Sequence, residues 1–173
     1  MEEKTTAPLV NRVANSSLVT IRLEDYFPKG EVVDFDLKEF LFMGLILKEK
    51  DFREALAAHD WNQYAGKNLA VHCSADAVIP LWAYMLVAAH AAPHARDVVQ
   101  CAPAHFHEMA FQKALQELDL SPYEGQRIVV KGCGNHPVPP SAYMEITRRL
   151  LPIAKSIMFG EPCSTVPVFK KKN

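Results

Sequence analysis

Apolar and polar residues alternate over 18–24 (Leu-Val-Thr-Ile-Arg-Leu-Glu) and again over 32–36 (Val-Val-Asp-Phe-Asp), the period-two pattern of half-buried strands. Pro28-Lys29-Gly30 between them offers turn chemistry, so the pair is expected to close as an antiparallel N-terminal β-hairpin. The period then lengthens. Asp36 followed by Glu39 has the form of a capping box, and Phe40, Met43, Leu47, Phe52 and Leu56 follow at helical spacing up to His59. From residue 60 strand and helix patterns alternate, the signature of a parallel sheet with crossover helices. Strands are expected at Asn68–Cys73, Asp97–Cys101 and Arg127–Lys131, all rich in apolar and β-branched residues. Helices are expected from Pro80 to Ala92, from His105 to Leu118 and from Ser141 toward Met158. Pro152 should kink the last of these, Gly160 should end it, and Thr165–Phe169 should form a short C-terminal strand.

The expected fold is therefore α/β, a mixed sheet with a parallel βαβαβ core. It is read as a single domain over 1–173, with an N-terminal portion at 1–59, a βα core at 60–169 and a basic tail at 170–173. The core carries an internal echo. Asp60, Tyr64, Gly66, Val71, Pro80, Ala83, Tyr84 and Met85 recur as Asp119, Tyr123, Gly125, Val130, Pro139, Ala142, Tyr143 and Met144, each pair 59 positions apart. This suggests two similar turn-strand-loop-helix units, against the competing account of chance similarity between amphipathic segments.

Charge narrows the partners. With 19 basic and 20 acidic side chains the formal net charge is −1, which provides no field to hold DNA or RNA. The run Lys170-Lys171-Lys172 reads as a solvated tail, and no nucleic-acid partner is expected. The acidic start, Met1-Glu2-Glu3-Lys4, lacks the apolar segment of a signal peptide. The longest apolar stretch, Val78 to Ala92, is too short for a membrane span and reads as a buried helix. A cytoplasmic, membrane-free location follows as an expectation, with a protein partner or small-molecule ligand left open.

In a reducing compartment, Cys73, Cys101, Cys133 and Cys163 would be thiols or metal ligands, not disulfides. The first three fall at expected strand carboxyl ends, where open parallel sheets bind ligands, and Cys163 lies in a loop that could return to the same edge. Cys101 ends a short apolar strand and reads as core filler. Cys133 is flanked by Gly132 and Gly134, which let the backbone approach a ligand. Converging sulfurs would suit zinc, so a zinc site is expected at Cys73, Cys133 and Cys163, with Asp76 as the fourth ligand and His136 as its alternative. No Cys-x-x-Cys or His-Glu-x-x-His signature is present, and Lys131-Gly132-Cys133-Gly134 lacks the spacing of a phosphate loop. A second reading is a cysteine-dependent enzyme, with Cys73 or Cys133 activated at a helix N-terminus and His136 as base.

Several longer motifs point further. Asn11-Arg-Val-Ala-Asn-Ser16, Gly44-Leu-Ile-Leu-Lys-Glu-Lys-Asp-Phe-Arg53, Cys73-Ser-Ala-Asp-Ala77, Trp82-Ala-Tyr-Met85, Val130-Lys-Gly-Cys133 and Ser156-Ile-Met-Phe-Gly-Glu-Pro-Cys-Ser-Thr-Val-Pro167 together resemble the bacterial family of domain of unknown function 2480. These motifs include Cys73, Asp76, Cys133 and Cys163 but neither Cys101 nor His136. The resemblance also implies an association with iron–sulfur assembly, and hence an alternative function as an iron–sulfur cluster or sulfur-carrier accessory protein.

Overall fold

The computed structural model describes residues 18–132, 134, 136–161 and 164–172. Its strands fall into two sheets, ordered β1-β5-β6-β7 and β2-β3-β4. In chain order the elements are β1 (Leu18–Arg22), β2 (Val32–Asp36), α1 (Glu49–Ala58), β3 (Asn68–His72), α2 (Leu81–Ala91), β4 (Asp97–Gln100), α3 (Phe106–Glu117), β5 (Arg127–Lys131), α4 (Pro140–Leu150), β6 (Ser156–Glu161) and β7 (Ser164–Lys170). The chain groups into two compact units. One is continuous in sequence, Pro28–Lys113, and the other is split, joining the chain up to Phe27 with the chain from Ala114 onward. The units therefore meet along the chain at 27/28 and 113/114.

An α/β fold with parallel strands is present, but two expected pairings are replaced. β1 and β2 form no hairpin. β1 runs parallel to β5, with Leu18 opposite Arg127, and β2 runs parallel to β3, with Val32 opposite Asn68. A 3₁₀ turn at Leu23–Tyr26, anchored by the fully buried Leu23, carries the chain out of the first sheet where a tight reversal was expected. Nor is there one βαβαβ core. β3-α2-β4 closes one parallel pair and β5-α4-β6 closes another, each in its own sheet.

The final helix is also shorter than its apolar spacing predicts. α4 stops at Leu150, and Ile153 and Ala154 both donate to the Leu150 carbonyl just past Pro152, which has no N–H to continue the helix. Residues 156–161 become β6, and Gly160 is a strand residue at φ +117, not a helix terminator. β6 turns back into the antiparallel β7, so the expected C-terminal strand exists but is longer, Ser164–Lys170.

The two units repeat each other's hydrogen bonding at a constant spacing. Asn68 pairs with Asp97 in one sheet and Arg127 with Ser156 in the other. The bond from Arg96 N–H to the Lys67 carbonyl, 2.7 Å, is matched by Lys155 N–H to Gln126, 2.8 Å. Gly66 and Gly125, at φ +73 and +67, occupy the same left-handed position ahead of β3 and β5. All these pairs are 59 positions apart.

In the continuous unit, Phe35, Leu69 and Val71 project from one sheet face onto Phe52 and Leu56 of α1 and onto Ala83, Val87 and Ala91 of α2. The opposite face sets Ala70 and Cys101 against Phe106 and Ala110 of α3. α1 is oriented by its sequence, since Phe52 and Leu56 share one face and Glu49 and Asp51 lie in the first turn, where the helix dipole favours acids. α2 is not the buried helix its composition predicts, because Leu81 and Met85 are 81% and 71% exposed. In the split unit Ile21, Ile128, Val129, Val130 and Ile157 of the sheet are buried, as are Ala142, Ile146 and Leu150 of α4. No helix among the described residues is long and apolar enough to cross a membrane.

Candidate functional site

At the carboxyl edge of the continuous unit's sheet, alternation along β3 sends consecutive side chains to opposite faces. His72 lies with Ala70 and bonds Asp34 of β2, Nε2 to Oδ1 at 2.7 Å. Cys73 lies with Val71 on the helix side, half-buried against the main aromatic cluster. Its Sγ donates to the Ala75 carbonyl at 3.6 Å. Burial first, and then the neighbouring Cys73, push the Tyr84 hydroxyl above its ordinary pKa.

The loop after Cys73 is fastened by its next residue. Asp36, at the end of β2, accepts from Ser74 N–H at 3.0 Å, Ser74 Oγ at 2.5 Å and Lys38 N–H at 3.0 Å. Burial would raise the Asp36 pKa, but these three bonds and the nearby His72 outweigh it and hold the carboxyl below its usual range. Asp76 is exposed and makes no hydrogen bond or ion pair with other described residues. This edge therefore offers one partly accessible thiol and one carboxylate unengaged by the other described residues, in a short loop of fixed origin.

Cys101 behaves as its sequence context predicts. It is buried beside Phe106, and burial pushes its thiol up, away from the thiolate that metals and electrophiles require.

At the corresponding edge of the split unit the loop is built on glycine. A Cβ on Gly132 would collide with the Tyr143 hydroxyl, and one on Gly134 would collide with the Glu24 carboxylate. The backbone on both sides of position 133 is thus in contact with functional groups that only glycine admits. Lys131 clasps both Glu161 carboxylate oxygens at 2.8 and 2.9 Å. Arg22 pairs with Glu24 at 2.9 Å, and the Glu24 side chain is only 12% exposed. Beside Tyr143 an apolar groove of about 360 Å³ is lined by Val130, Thr147, Ile157, Phe159 and Val168.

Of the residues chosen from sequence, Cys73 and Asp76 share one loop of the continuous unit. His136 is in the split unit, exposed and stacked on Phe27 with ring centroids 4.2 Å apart. Cys133 and Cys163 lie outside the described residues. Among the described residues, no three of His, Cys, Asp and Glu gather as a metal-holding group.

Sequence reasoning missed Glu24 and the tyrosine pair. Reading 18–36 as a hairpin set Glu24 at the start of a turn, whereas it follows β1 and meets the loop after β5. Tyr84 and Tyr143 were visible as one of the pairs repeated at 59 positions, with nothing in the pattern to mark their hydroxyls.

No curated protein and no solved structure matches the chain. One family model does, over residues 7–171, and by that match the chain belongs to the family described as protein of unknown function DUF2480.

Proposed function

We propose that this protein binds a soft divalent metal, zinc in the first instance, through thiolates of its strand-end loops. The ligands in this reading are Cys73, Cys133 and Cys163 with Asp76, or His136 in place of Asp76. The observation that carries the reading is the contrast between the two described cysteines: Cys73 is accessible in a loop at the sheet edge, and Cys101 is sealed in the core. Two features add support. Glycine on both sides of position 133 brings the backbone close to polar groups, the Tyr143 hydroxyl at Gly132 and the Glu24 carboxylate at Gly134, and that carboxylate is an oxygen donor of a kind zinc accepts. The enzyme reading gains nothing at Cys73, whose bond goes to a carbonyl while the adjacent imidazole of His72 is held by Asp34.

Metal analysis of the full chain, purified reduced and without added zinc, tests this. About one equivalent per chain is expected, lost in Cys133→Ser and Cys163→Ser and kept in Cys101→Ser. Less than about a tenth of an equivalent in the wild type would reject metal binding. A visible chromophore after anaerobic reconstitution with iron and sulfide would reassign the ligand as an iron–sulfur cluster.

A further inference from the structure

The run Lys170-Lys171-Lys172, a tail by its sequence, is tied to the sheet of the split unit. Lys170 is the last residue of β7, and the Lys171 N–H donates to the Lys155 carbonyl at 3.0 Å. Arg127, Ser156 and Lys170 lie opposite one another on β5, β6 and β7, which sets Arg127 and Lys170 two strand spacings, about 10 Å, apart. Arg127, Lys155, Lys170, Lys171 and Lys172 are all exposed. None of the five forms an ion pair with another described residue, whereas Arg22, Arg53, Lys67, Lys113, Lys131 and Arg148 each have an acidic partner. Glu124 is the one acid in the segments 124–127, 155–157 and 169–172. Like charges gathered this closely repel, so stability does not account for them.

Nor does the repeated architecture demand this edge. Gln126, Arg127, Lys155 and Ser156 stand 59 positions after Lys67, Asn68, Arg96 and Asp97. In the continuous unit Lys67 pairs with Glu31 at 3.3 Å, Asp97 pairs with Lys113 at 2.9 Å, and Arg96 donates to the Gly66 carbonyl at 3.3 Å. β7, which delivers Lys170 and Lys171, has no counterpart in the described three-stranded sheet.

We propose that this basic edge docks the protein on an anionic phospholipid surface, by charge and without insertion. Charge complementarity calls for an anion, and the surroundings of the cations select which. The one aromatic residue in these segments, Phe169, is half-buried, so bases find no exposed ring to stack on, and the cations stand at strand ends, not on a helix or hairpin that could enter a groove. No large apolar side chain is exposed in the same segments to anchor a protein partner. A layer of anionic headgroups requires only clustered cations at a surface. Such contact needs no spanning segment, the feature on which the expected membrane-free location rests.

Co-sedimentation of the full chain with vesicles, of phosphatidylcholine alone or with about 30% phosphatidylglycerol, tests this. Binding is expected to the anionic vesicles only, and should fall steeply as salt rises from about 0.05 to about 0.5 M. Lys155→Ala and Lys170→Ala should each weaken it roughly fivefold and the double variant roughly 25-fold, the contribution of one basic side chain near such a surface taken once and twice. Lys155→Arg with Lys170→Arg keeps the charge and should keep the affinity, and circular dichroism should show every variant folded as the wild type is. No binding to anionic vesicles at about 50 mM salt would overturn the proposal, as would equal binding to both kinds of vesicle or binding indifferent to the alanine pair. Tighter binding to a single-stranded oligonucleotide, lost in the same variants, would also overturn it by assigning the edge to nucleic acid.

Discussion

Asn68 is a buried polar residue, 2% exposed, at the first position of β3, and its replacement should weaken one unit specifically. Its side-chain amide donates to the Lys29 carbonyl at 2.9 Å and, less well, to that of Gly30 at 3.3 Å. These bonds hold the turn into β2, where Gly30 sits at φ +95 and a Cβ would lie 2.8 Å from the Gly66 carbonyl. Asn68→Ala loses one good bond and one long one, about 1–1.5 kcal/mol net, and the packing of the amide adds about 0.5–1 kcal/mol. Lys29 and Gly30 are exposed, so their carbonyls can rehydrate and no orphaned acceptor adds to the cost. The expected loss is about 2 kcal/mol. Asn68→Asp keeps the shape but turns a carboxylate toward two carbonyl oxygens, and should cost about 3 kcal/mol or more. The two tryptophans, Trp61 and Trp82, both lie in the continuous unit, so their fluorescence reports its unfolding, while far-ultraviolet circular dichroism reports both units. In urea the fluorescence midpoint should fall by about 1 M for Asn68→Ala and further for Asn68→Asp. If the aspartate variant proves as stable as the alanine one, or more so, the amide's role is packing and the hydrogen-bond reasoning is wrong.

Two further outcomes follow from the split unit. Gly132→Ala should destabilise it by about 1–3 kcal/mol through the collision with Tyr143, and a double-mutant cycle in urea should show Tyr143→Phe recovering part of that loss. Additive effects would show that the hydroxyl is not what excludes a side chain there. Burial, and then the contact and hydrogen bond with Tyr123, push the Tyr26 pKa up to about 12. A phenol whose folded value lies above its free value of about 10 contributes stability below pH 10 that is lost as pH rises toward 12. Ultraviolet titration of the phenolates should therefore show a late-ionising tyrosine that is missing in Tyr26→Phe, and unfolding of the split unit should track its ionisation.

Local pattern revealed the elements better than their partners. The strands read at Asn68–Cys73, Asp97–Cys101 and Arg127–Lys131 match β3, β4 and β5 to within a residue, because strands covered on both faces run apolar between polar boundaries. Alternation also found β1 and β2, but a turn-forming Pro-Lys-Gly cannot reveal that each strand pairs with a segment far along the chain. β6 was hidden because Ile157 and Phe159 continue an apolar spacing that α4 had already established. The different burial of Cys73 and Cys101 was legible, because their neighbours in sequence are also their surroundings. Glu24 was not, since its importance depends on a loop more than a hundred residues later.

The split unit also imposes an order on the newly made chain. β1 leaves the ribosome before the other described strands, yet β5, its hydrogen-bonding partner, is synthesised only after the whole continuous unit. Every strand of the continuous unit exists once Gln100 has been added. Until Lys131 follows, β1 presents bare N–H and C=O groups of the kind that recruit other chains, and its length of only five residues limits the hazard. Translation thus supplies one sheet in full before the other can acquire its first pair of strands.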